Sequence, residues 1–192
     1  MLKNSIKLFT IGHSTRPLDE FISVLREFKI SVLIDIRRFP GSRRFPHFNR
    51  QELEKTLPAG GIEYIWLEDL GGRRSGTAIE KSPNAGLKNP GFRYYADYMQ
   101  TEQFRNAVER LLSVASVKPA AIMCAEKLFW KCHRRLLSDY LVAQGACVEH
   151  IIESGRQQLH KLSAGAVITE NSHVIYPTNI ENNDESPSLF DL

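Results

Sequence analysis

Five short runs of apolar and β-branched residues punctuate the chain: KLFTIG (7–12), SVLIDI (31–36), EYIWLE (63–68), AAIMCA (120–125) and CVEHII (147–152). Helical patterns separate them. This alternation constrains the fold more than any other feature, because strands that return through a helix lie parallel and are covered on both faces. SVLIDI and AAIMCA are nearly continuous in apolar residues, as strands without a solvent face are. The chain therefore reads as α/β: a mainly parallel β-sheet of about five strands with helices on both faces, in a single domain plus C-terminal tail. The domain is assigned to 1–155, an ordered C-terminal extension to 156–178, and a flexible acidic tail to 179–192. A length of 192 residues suits one core rather than two.

Between the runs, Leu18, Phe21, Ile22, Leu25 and Phe28 recur at helical spacing behind Pro17, with Ser14 or Thr15 available as a cap. Asn49 precedes a short helix, RQELEKTL, that Pro58 and the Gly60-Gly61 pair end. Residues 69–92 are rich in glycine and lack apolar periodicity, so they read as a long connection. One helical pattern then runs from Arg93 to Leu112, and FWKCHRRLLSDYLVAQ (129–144) reads as a helix closed by Gly145. No apolar run approaches the ~20 residues needed to span a bilayer. The opening residues lack the apolar block of a secretory signal, and Cys124, Cys132 and Cys147 are too few for a disulfide framework. A cytoplasmic location with free thiols is the expectation.

Parallel strands deliver their carboxyl ends to one edge of the sheet, where ligands of open α/β sheets bind. The segments expected there are His13-Ser14, Asp35 to Arg44, Glu68 to Arg74, Cys124 to Glu126, and His150 with Glu153. Polar and reactive residues gather at these strand ends. RRFPGSRRFPHFNR (37–50) adds a dense positive block with interleaved phenylalanines, a pattern that suits phosphates neutralised by arginine and bases stacked on rings. A solvated loop anchored by its aromatics would use the same letters.

From these residues we expect a phosphate-bearing ligand, nucleic acid or nucleotide. Ser14, Arg37, Arg43, Arg44 and Arg134 would hold the anion, with Asp35 in support. His13, Cys124, Glu126 and His133 form the reactive set: Cys124 as a thiol at a strand end before a helix, His13 and His133 as acid or base, and Glu126 as general acid or as the partner of Arg134. TIGHS has one glycine, not a dinucleotide fingerprint, and no cofactor is assigned. Two alternatives stay open. One is a non-catalytic nucleic-acid-binding module with core cysteines, since Cys132 shares helical spacing with Phe129, Leu136 and Tyr140. The other is a small metal-binding protein using Cys124, Cys132, His133 and His150, although adjacent helical residues such as Cys132 and His133 would point about 100° apart.

TIGHS (10–14), DIRRFPGSRR (35–44), LEDLGG (67–72), GFRYYADYM (91–99), CAE with CHR (124–126, 132–134) and HI (150–151) together resemble the domain-of-unknown-function 488 family across roughly residues 7–155. The resemblance implies a common site without naming a reaction. Beyond it, the terminal SPSLFDL is similar to a degenerate bacterial sliding-clamp-binding peptide, in which Leu189 and Phe190 would fill the clamp pocket and Ser186 replaces the usual glutamine.

Overall fold

In the computed structural model, which describes residues 5–74 and 81–178, all five apolar runs are strands. They are β1 (Lys7–Gly12), β2 (Val32–Asp35), β3 (Glu63–Trp66), β4 (Ala120–Cys124) and β5 (Cys147–Glu153). A sixth strand, β6 (Arg156–Leu159), joins the sheet edge, giving the order β3-β2-β4-β1-β5-β6. The first five are mutually parallel, and β6 runs antiparallel to β5. The fold is thus α/β with one mainly parallel sheet. The extension also supplies a small antiparallel pair, β7 (Val167–Ile168) with β8 (Val174–Ile175).

Side chains alternate across the strands and divide the core in two. Ile11, Leu33, Ala121 and Met123 face one layer with Phe21 and Leu25 of α1 (Leu18–Glu27) and Leu53 and Leu57 of α2 (Arg50–Ala59). Leu8, Val32, Ile34 and Ile122 face the other, with Tyr95 of α3 (Pro90–Tyr98), Phe104 and Leu111 of α4 (Glu102–Ala115), and Leu136 and Leu137 of α5 (Arg134–Ala143). The chain from β1 crosses under the first layer to reach β2, whereas the chain from β4 crosses under the second to reach β5. The connections thus leave the carboxyl ends of β1 and β4 toward opposite faces of the sheet, and a crevice lies at that edge.

Several helix boundaries differ from the periodicity. Neither Ser14 nor Thr15 caps α1; Ser14 has φ of 53° and Pro17 is the capping position, without a side-chain bond. The single helix expected from Arg93 is two, because Thr101 stops the first and caps the second by accepting from the Phe104 amide. The helix expected from Phe129 begins only at Arg134. Phe129–Lys131 forms a 3₁₀ turn, and Cys132 is extended at φ −126°, ψ 153°. Phe129 lies flat on the His150 ring, with centroids 3.5 Å apart, and that stacking holds the turn off the helix axis.

A chain of buried polar groups ties the extension to the sheet. Thr10 bonds His150 at 2.7 Å, His150 bonds His160 at 2.9 Å, and His160 bonds Asp139 at 2.9 Å. Asp139 also accepts from the Tyr176 hydroxyl at 2.7 Å. Among the described residues, no helix is long and apolar enough to cross a membrane. Leu189, Phe190 and the rest of SPSLFDL lie outside the described residues.

Candidate functional site

The crevice at the carboxyl ends of β1, β2 and β4 is a cleft of about 730 Å³. His13, Ser14, Arg37, Cys124, Glu126 and His133, all expected at the site, line it together with Cys132. Arg38, Arg73, Lys127 and Lys131 join them, and Glu126 is the one carboxylate among the described residues that line it. Phe39 stands at the rim, 65% exposed, with the Arg38 guanidinium 6.0 Å from its ring centroid. Arg43 and Arg44 stand on the exposed limb of the same loop and do not line the cleft; Arg44 lies over the Phe45 ring.

Arg37 is held rather than free. Asp35, wholly buried, accepts from its Nε at 2.9 Å and from Nη2 at 2.6 Å, and the Tyr64 hydroxyl donates to the same carboxylate at 2.7 Å. Nη2 also donates to the Phe48 carbonyl at 2.7 Å. The remaining nitrogen, Nη1, lies 3.2 Å from His13 Nε2. His13 Nδ1 lies 2.9 Å from the Ser14 carbonyl, which can only accept, so Nδ1 carries the proton and Nε2 receives the arginine N–H. The ring is neutral: burial, reinforced by Arg37, lowers its pKa to about 4. It also stacks on Phe48 at 4.2 Å between centroids.

Ser14 was expected to hold the anion, but the backbone amides of His13 and Ser14 are committed within the protein. They donate to the Cys124 and Ala125 carbonyls, each at 2.9 Å, and so extend the β1–β4 ladder into the loops. Gly12 permits this approach: a Cβ there would overlap the Glu126 carbonyl.

Arg134 lies beneath the cleft at 1% exposure. Its guanidinium donates to the backbone carbonyls of Glu126 and Lys127 and to the Thr10 hydroxyl at 3.4 Å, so it braces the 124–127 loop from below. The Glu126 carboxylate does not pair with it. That carboxylate is exposed and accepts from the Leu128 amide at 3.4 Å. His150 lies apart from the cleft, in the polar chain under Phe129, with burial lowering its pKa to about 3.

Cys124, Cys132 and His133 converge. Their sulfurs and a ring nitrogen lie within 4.8 Å of one another; His133 Nδ1 is 3.5 Å from Cys132 Sγ and 4.0 Å from Cys124 Sγ. Cys132 and His133 do not share a helix, because Cys132 is extended and α5 begins at Arg134, so the two side chains can turn toward one point. The hydrogen bond between the sulfurs holds Cys132 well below the ordinary thiol pKa, helped by His133, and raises Cys124 well above it, helped by burial. One negative charge is thereby favoured on the pair. Tyr95 meets the His133 ring edge to face at 5.0 Å, and Gly72 covers it where any Cβ would clash. His133 Nε2 is buried with no hydrogen-bond partner among the described residues.

The sequence model of DUF488, described as a domain of unknown function, matches residues 17–141. The chain belongs to the DUF488 family. The DUF488 match spans the arginine loop, the Gly71-Gly72 turn and the Cys124–Arg134 segment, whereas TIGHS and His150 fall outside it. No curated protein and no solved structure matches the chain. Sequence reasoning passed over Arg38, Arg73, Lys127 and Lys131 as ligand contacts, although Lys127 and Lys131 lie between Cys124 and Cys132.

Proposed function

We propose that the cleft binds a phosphate-bearing ligand of the nucleotide or nucleic-acid class. One observation carries this reading: Arg37, Arg38, Arg73, Lys127 and Lys131 line a single crevice, against one carboxylate, Glu126, among its described residues. Charges of one sign between low-dielectric walls focus potential on the space they enclose. Exposed Phe39 offers a ring face to a base, and α3 opens at the lip of the cleft, where Asn89 and Gly91 bring the positive end of a helix dipole.

The labour is divided by burial. Arg38, Arg73, Lys127 and Lys131 would neutralise phosphates, while Asp35, Tyr64 and His13 keep Arg37 fixed at the floor. Base stacking on Phe39 adds affinity without base selection. Cys124, Cys132, Glu126 and His133 stand within the same crevice as groups available for chemistry on what is bound.

Titrating the full chain with a labelled single-stranded oligonucleotide over a salt series tests the proposal. Affinity should fall steeply with salt, and Arg38→Ala and Arg73→Ala should each flatten the logarithmic salt slope by about 0.7. Phe39→Ala should weaken binding by about 1–3 kcal/mol with the slope unchanged. Binding indifferent to salt and to both arginine substitutions would remove this reading.

A further inference from the structure

We infer that Cys124, Cys132 and His133 form a three-ligand site for a divalent cation of the zinc type, open on its fourth side to the cleft. Metal uptake by these residues stands independently of the anion, since it needs no other ligand.

The edge lengths of the cluster carry the inference. Zinc bonds sulfur at about 2.3 Å and imidazole nitrogen at about 2.0–2.1 Å, so a tetrahedral site separates S and N by about 3.6 Å. The His133 Nδ1 distances to the Cys132 and Cys124 sulfurs, 3.5 and 4.0 Å, bracket that edge. All three donor atoms already lie within 4.8 Å of one another, so binding requires only side-chain adjustment. Two soft sulfurs and one imidazole select zinc among the common divalent ions.

The setting fits a metal as well. Each ligand comes from a braced segment: Cys124 ends β4, Cys132 follows the turn pinned by Phe129 on His150, and His133 is wedged between Tyr95 and Gly72. Two thiolates offset the charge of the ion, so the site adds no net charge beside Arg37 and Arg134. Binding forms two Zn–S bonds and one Zn–N bond, displaces water from the ion, and releases the one thiol proton left on the pair to solvent. All three residues line the cleft, so the fourth position faces it, the arrangement that catalytic rather than structural zinc sites keep.

The test uses the full chain, reduced and stripped of metal by a chelator, with zinc or cobalt alone as the probe. Uptake of about one equivalent, release of about one proton per metal, and thiolate-to-cobalt charge-transfer absorption are expected. Cys124→Ser and Cys132→Ser should each weaken uptake by at least about tenfold, whereas Cys147→Ser, at the far end of β5, should leave it unchanged. Should a serine variant fail to fold, the cobalt spectrum of the unaltered chain decides alone. Substoichiometric uptake, cobalt bound without charge-transfer absorption, or uptake undiminished in folded Cys132→Ser would overturn the inference. So would a Cys124–Cys132 disulfide formed under mild oxidation in a chain that takes up no metal.

Discussion

Asp35 shows how one residue sets the direction of another. Its carboxylate is completely buried and gathers the Arg37 side chain, the Arg37 amide and the Tyr64 hydroxyl. A buried arginine deprived of its carboxylate is an uncompensated charge, which costs about 3–5 kcal/mol. Asp35→Asn is therefore expected to lower unfolding stability by that amount in urea denaturation, and a loss below about 1 kcal/mol would mean that Arg37 finds another partner. The pairing was legible in the sequence, since a charge near the end of an apolar strand needs a partner and Arg37 lies two positions on. The task of Arg134 was not. An arginine near a cysteine reads as an anion contact, and only the fold reveals that backbone carbonyls already occupy it.

The strands of the parallel sheet were readable to within a residue or two, and most plainly β2 and β4, where burial on both faces writes an unbroken apolar run. RQQL carries no such mark: every residue of β6 is exposed, and its place is set by pairing with β5 rather than by burial. Helix boundaries failed for a related reason. Met99 and Phe104 are both fully buried, so apolar spacing runs straight through the break at Thr101. The break is visible in another signal, a threonine followed by an acidic residue. Thr101→Ala should cost about 1 kcal/mol and raise amide exchange over the first turn of α4; unchanged exchange there would show that packing alone holds the end. The misplaced start of α5 traces to Phe129 lying on His150, a contact between distant positions that local spacing does not encode.

Across the whole molecule, His13 and His150 are neutral in the folded state with pKa values lowered by burial to about 4 and about 3. In the unfolded chain both return to about 6.5, so acid protonates the unfolded state first. Their contribution to stability is complete above about pH 6.5 and drains away as pH falls toward the folded values, with each ring shifting the unfolding equilibrium by up to about tenfold per pH unit. Urea denaturation at about pH 7 and about pH 5 should reveal this slope, and His150→Asn should flatten it. A slope identical in that variant would assign the acid sensitivity to other groups.

The place of β1 has a consequence for how this family is handled at the bench. It is the fourth strand from the β3 edge, hydrogen-bonded to β4 on one side and β5 on the other. The stretch of this chain that the DUF488 model matches, 17–141, starts after β1 and stops inside α5. A fragment cut to those limits would lose β1, the plank nailed to both β4 and β5, together with β5, β6 and His13 from the rim. What is recognisable as kin is thus smaller than what can stand as a molecule.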